Sequence, residues 1–334
     1  MMSLHTGAAW LPLALLFTLC VASCSGEVIK DAQDPATADA GVGPDAIDER
    51  IGRIFGNDDE LGGIDRDVVR RMLEVTARDD APFFMVNFIK HRERAEYADG
   101  RETELTGAEA DGIYGQMFLP ILTDIGARPV FVAEVEATLM GDDDVQWDQV
   151  GVVHYPSRGE FFEMLERADF EEAAAHKAAG VETTLVMFAL PIVNDELEDL
   201  PAVDLETVPY PPTDADSPLA IIHLYAYREL AQYADGRETE LTGQEAVNTY
   251  TQGRQDQGVT ELGVRPGLWL DIDGPLIADE RSFDEFRINL FPSHATFMDV
   301  AASAGEAGIE HRTAGLEHHY TLMTLPLINE YGYE

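Results

Sequence analysis

Cysteine is almost absent. The 334 residues contain two, Cys20 and Cys24, both before any region able to fold. That excludes a disulfide framework, a zinc cluster or an iron–sulfur site built on thiolates. Positive charge is also scarce: 22 Lys and Arg face 63 Asp and Glu, for a net charge of −41. A surface this acidic cannot neutralise phosphates, so a nucleic-acid partner is excluded. Several motifs are missing too. There is no P-loop, no Gly-x-Gly-x-x-Gly after a strand, no Gly-x-Ser-x-Gly elbow and no His-x-x-x-His or Glu-x-x-His pair. No metal site is expected, and no cofactor is indicated. What is present suffices for packed cores: 45% hydrophobic and 9% aromatic residues, in a length that suits about two domains.

The apolar run Ala8–Ala22 is shorter than the roughly 20 residues of a membrane span and fits the apolar core of a signal peptide. It ends Val21-Ala22-Ser23-Cys24, which resembles the lipobox of bacterial lipoproteins. That resemblance implies removal of residues 1–23, a lipid on Cys24 and an address in the bacterial envelope, at the outer membrane. The segment Met1–Gly7 has no Lys or Arg, a departure from the usual pattern, and an ordinary secretory signal is the alternative. Residues 24–45, rich in Asp, Ala, Gly and Pro, read as a flexible tether.

The most informative feature is internal. Tyr97 through Gly107 recurs letter for letter as Tyr233 through Gly243. The similarity spreads outward, with Arg128-Pro129 answered by Arg265-Pro266, Tyr155-Pro156-Ser157 by Phe291-Pro292-Ser293, and His176-Lys177 by His311-Arg312. Each copy is about 110 residues, the size of a small domain. Each reads strand, helix, strand, strand, helix, strand, with capping boxes at Thr106/Glu109 and Thr242/Glu245. The second helix of copy one breaks near Asp169. This order is the ferredoxin-like plan, whose open sheet face must be covered. The expected division is a helical segment over 46–80, repeat 1 over 81–191, an acidic Pro-containing linker over 192–217, repeat 2 over 218–326 and a tail over 327–334.

Several motifs together carry a further resemblance. They are Val86-Asn87-Phe88, the Tyr-x-Asp-Gly-Arg-Glu loop, Trp147-Asp148, Tyr155-Pro156-Ser157-Arg158 and His311 through Glu317. On these the chain resembles the family called domain of unknown function thirteen-thirty, within the dimeric α/β-barrel superfamily. The resemblance implies an α+β fold: two fused ferredoxin-like βαββαβ units, their sheets paired face to face as an intrachain dimeric α/β barrel. Such a pseudo-dimer would be monomeric. Enzymes of that superfamily supply an alternative function, a cofactor-independent oxygenase or isomerase, or a haem enzyme. A structural or interaction role at the cell surface is a third reading.

Candidate ligand-binding residues follow from chemistry. Arg101 and Arg237, in the twin loops, carry guanidinium groups able to hold a carboxylate at a pocket mouth, or to pair locally within a turn. Asn87 and His223 are polar positions in an otherwise apolar first strand, so each needs a partner. His176 and His311 sit where the negative end of a helix dipole favours them. The helix of copy two is polar where that of copy one is apolar, with Tyr250, Arg254 and Gln257 on it. Burying Arg254 unpaired would cost several kcal/mol, so that face is either exposed or lines a wet pocket. The expectation is a polar pocket for a small organic ligand in repeat 2, lined by His223, Tyr250 and Arg254, with repeat 1 as its structural partner.

Overall fold

The computed structural model describes residues 44–55, 64–76, 80–141, 145–192, 203–277, 281–303 and 305–333. Cys24, the signal segment and the greater part of the tether lie outside these residues. No described helix is long and apolar enough to cross a membrane. Two short helices come first, α1 (Pro44–Phe55) and α2 (Arg66–Thr76). The first half then runs β1 (Phe83–His91), α3 (Gly107–Asp124), β2 (Arg128–Gly141), β3 (Gln149–Tyr155), α4 (Arg158–Leu165), α5 (Ala168–Gly180) and β4 (Val181–Pro191). The second half has the same order: β5 (Leu219–Tyr227), α6 (Gly243–Asp256), β6 (Arg265–Ile277), β7 (Glu285–Phe291), α7 (His294–Ala302), α8 (Glu306–Gly315) and β8 (Leu316–Asn329).

Local chemistry sets these elements. Thr106 and Thr242 each form a complete capping box with the glutamate three residues on. Ser157 and Ser293 cap α4 and α7. Asp80 and Asp216 do so from outside, accepting the first amide hydrogens of those helices. Gly107 and Gly180 touch so closely that a Cβ on either would collide with the other's carbonyl oxygen, and Gly243 and Gly315 repeat the contact.

The strands close into one antiparallel barrel in the order β1-β3-β2-β8-β5-β7-β6-β4. The two sheets do more than face one another. They join at their edges, β2 to β8 and β4 to β6, which leaves no strand edge unpaired. The interior is packed solid with Val86, Phe88, Trp147, Phe286, Tyr320 and Leu322, among others. Phe88 meets Trp147 and Phe286 edge-on at 5.8 and 6.2 Å. Eight strands leave about enough room for side chains, and here they take it. A larger ligand therefore has no room inside the barrel, which leaves the outward faces of the sheet, beneath the helices, to compare. There the two halves differ.

Candidate functional site

The outward face of each half-sheet can be compared row by row, because the strand registers match. In the first half one row reads Val132, Gly151, Asn87, Val186 across β2, β3, β1 and β4. In the second the same row reads Trp269, Arg287, His223, Thr321 across β6, β7, β5 and β8. The helix above contributes Gly112 and Gly115 in the first half and Asn248 and Thr251 in the second.

In the second half this space is full. Arg287 is 4% exposed and lies 4.2 Å over the Trp269 ring. Its guanidinium pairs with Glu285 and donates to Thr251 Oγ1 at 3.2 Å, and to Asn248 Oδ1 and the Tyr227 hydroxyl at 3.4 Å each. Tyr227 in turn donates to Glu285 Oε2 at 2.7 Å. Burial pushes the Tyr227 phenol far above its usual range, and hydrogen bonding to Glu285 raises the Arg287 pKa against the opposing effect of burial. Beside this pair Arg312, 5% exposed, donates to Thr321 Oγ1 at 2.8 Å and lies 5.6 Å from the Tyr225 ring. His223 also bonds Thr321, through Nδ1 at 3.2 Å, and stacks on Tyr225. Burial, with Arg312, Arg287 and His319 nearby, holds the His223 pKa well below the ordinary imidazole value, so it is neutral. The cluster is a filled polar network.

In the first half the same volume is open. Gly151 faces the helices, since Val150 and Val152 on either side face the barrel core. A Cβ on Gly151 would have no atom within 4 Å, and the same holds for Gly112 and Gly115 on the exposed side of α3. The sheet therefore keeps open space at Gly151, where the second half has a side chain. Lys177, on α5, borders it. Its ammonium donates to Asn87 Oδ1 at 3.3 Å and stands 5.2 Å from the Tyr114 ring. Burial lowers the Lys177 pKa, and the Asp111 charge opposes that. Asp111, 8% exposed, holds His91 Nε2 at 3.2 Å through Oδ2, while its Oδ1 has no partner. The same carboxylate acts on Tyr114, whose pKa is raised chiefly by burial.

The residues singled out from the sequence fall in several places. Asn87 and His223 hold equivalent positions in the two rows. Tyr250 is half-buried at the edge of the second cluster, against Gly308. Arg254 does not join it. It stands where α3 has Phe118, is 9% exposed, and bonds Gln257, the Val300 carbonyl and Ser303 Oγ. It ties α6 to the end of α7, so its burial is satisfied by protein groups alone, and the polar helix face is neither exposed nor a wet wall at this position. Arg101 and Arg237 lie flat on Tyr97 and Tyr233 at 3.6 Å, paired with Asp99 and Asp235. Tyr97 and Tyr233 bond His176 and His311 at 2.7 Å, so the histidines hold the loops as well as ending helices. Gly100 and Gly236 take positive φ. The eleven repeated residues thus build a latch. In the second half the latch borders an open surface depression of about 980 Å³, lined by Arg228, Tyr233, Arg237, Glu240 and Glu317.

Arg287, Glu285, Lys177 and Gly151 escape a motif search. Their signal lies in comparing the copies position by position, where Gly151 stands against Arg287 and Gln149 against Glu285. A haem, which one superfamily alternative requires, has no room on the face of the second half. The second is occupied by Arg287, Trp269 and Tyr225. In the first, His91 Nε2 is held by Asp111.

No family model matches the chain, and no curated protein matches it. Among solved structures, the chain is similar to chlorite dismutase from Candidatus Nitrospira defluvii (11% identity, 76% of this chain and 95% of that one, TM-score 0.40). It is also similar to an anthrone oxidase-like protein (11% identity, 74% and 92%, TM-score 0.42). A higher identity, 34%, links it to the methylated RPA0582 protein, over 40% of this chain and 98% of that one, with a TM-score of 0.35. The same protein, from Rhodopseudomonas palustris and of unknown function, also matches at 31% identity over 99% of its length.

Proposed function

We propose that this chain is an exported protein, anchored in the bacterial envelope by a lipid on Cys24, that holds a small organic ligand under the helices of its first half. The anchor reading is supported by Val21-Ala22-Ser23-Cys24 and the apolar run Ala8–Ala22 that it ends. A duplication is supported by the eleven identical residues and the common element order. A monomer is supported by a barrel that closes within one chain. The observation that carries ligand binding is the open space at Gly151 beside Asn87 and the Lys177 ammonium bonded to it, with an unsatisfied oxygen of Asp111 on α3. This moves the pocket from the second repeat to the first, because Arg287 fills the second.

The test is native mass spectrometry of the full-length protein, purified in detergent from a bacterial host. The expected result is an excess mass that is lost on denaturation and missing from Gly151→Trp. A bare wild-type mass, or a Gly151→Trp protein that keeps the excess, would count against the proposal. Labelling cells with a palmitate analogue tests the anchor separately, with Cys24→Ala expected to remain unlabelled.

A further inference from the structure

The second half shows what its version of the cleft accepts: a planar group of three atoms around a carbon, the guanidinium of Arg287, laid against the sheet at a fixed row. The first half keeps the row and changes the charge. Glu285, the acid that holds the guanidinium, is replaced at the same register position by Gln149, opposite Ile89 as Glu285 is opposite Tyr225. The base at the side is retained, since Lys177 stands where Arg312 stands. Arg312 is buried with no carboxylate bonded to it among the described residues, and Lys177 bonds only a neutral amide oxygen.

A guanidinium and a carboxylate share a planar, forked outline and differ in sign. A cleft in which Gln149 replaces the acid of the strand row and the base is kept suits the second, the remaining carboxylate being that of Asp111 on α3. Two observations point to a ligand beyond the small residues themselves. One is the side chain that occupies the equivalent volume in the other half. The other is Asp111, more than nine-tenths buried, with one oxygen unsatisfied and with its charge felt by both Lys177 and Tyr114.

From this we infer that the first-half cleft binds the carboxylate group of a small organic acid over Gly151, with the Lys177 ammonium as its counter-charge and Asn87 and Gln149 as amide partners. Asp111 Oδ1 is left for a hydrogen donor, a hydroxyl or amine, on the same ligand. One ligand binds per chain, because Arg287 is the permanent occupant of the second site. The inference rests on the ligand-binding reading above and adds the ligand's charge and shape.

Three probes of one shape and different charge test it: benzoate, benzamide and benzamidine, titrated calorimetrically into the full-length protein. Benzoate is expected to bind about tenfold more tightly than either of the others. Lys177→Met is expected to abolish that preference and Lys177→Arg to keep it. Gln149→Glu, which restores the acid of the second half without touching Lys177, is expected to shift preference towards benzamidine. Equal or tighter binding of benzamidine to the wild type, or a benzoate preference that survives Lys177→Met, overturns the charge assignment and leaves ligand binding standing. If none of the three probes binds, both readings fall.

Discussion

The two helix-side faces have the same backbone and opposite contents. On the second, Trp269, Arg287 and His223 fill the row and Asn248 and Thr251 close it from above. On the first, Val132, Gly151 and Asn87 leave it open under two helix glycines. One scaffold can therefore carry a filled or an open face according to what it puts at a few row positions. The filled face resembles a protein interior, where every polar group finds a protein partner. The open face keeps a cation and an amide beside the open space at Gly151, and an unsatisfied carboxylate oxygen on the helix above, an arrangement that protein packing alone does not favour.

The largest expected effect comes from emptying the filled face. Arg287→Gly leaves Glu285 buried without its partner and is expected to cost about 3–5 kcal/mol in denaturant unfolding. The double variant with Glu285→Gln is expected to recover part of that loss. A loss under about 1 kcal/mol in the single variant would show that the pair is hydrated and the face not truly filled. Next, Arg254→Met removes the tie between α6 and the last turn of α7 while keeping an apolar stem, and is expected to cost about 1–3 kcal/mol. Ligand binding is expected to be unchanged, which separates this residue from the cleft.

Two pH effects involve histidines of the second half. His223 is held neutral, its folded pKa depressed. Its contribution is present above the unfolded imidazole value of about 6.5 and is lost as pH falls below it. Thermal midpoints of His223→Asn, which imitates the first half, are expected to fall less than those of wild type between neutral and mildly acid pH. His294 runs the other way. It lies between Asp216 at 2.9 Å and Glu136 at 2.7 Å, and its pKa is raised chiefly by the bond to Glu136. That contribution is full below the unfolded value and is lost as pH rises through the folded one. His294→Ala is therefore expected to lose more stability in mild acid than at alkaline pH. The first half has Arg158 at this position.

The smallest effect is the converse of the first. Gly151→Arg adds a side chain to open space, so its stability is expected to stay within about 1 kcal/mol of wild type, while benzoate binding is lost.

Much of the frame is legible in the sequence because it is local. Strand alternation, the capping boxes at Thr106 and Thr242 and the break between α4 and α5 all depend on near neighbours. The repeat exposes the common order of the halves. The edge-to-edge closure of β2 on β8 and β4 on β6 is not legible, since it depends on strands lengthening beyond their apolar cores. The site is only partly legible. Asn87 and His223 stand out as polar residues in apolar strands. Arg254 misleads, because an arginine at a core position has two solutions, a pocket or a carbonyl at the end of another helix, and sequence does not show the second. Gly151 is silent by itself, and acquires meaning only when Arg287 is set against it in register.

The most direct measurement is a crystal structure of the protein grown with benzoate. It should show the carboxylate over Gly151, within hydrogen-bond reach of Lys177, with Arg287 still paired to Glu285 in the other half. Benzoate in the second half with Arg287 displaced, or side chains closed over Gly151 with no ligand between them, would contradict the account.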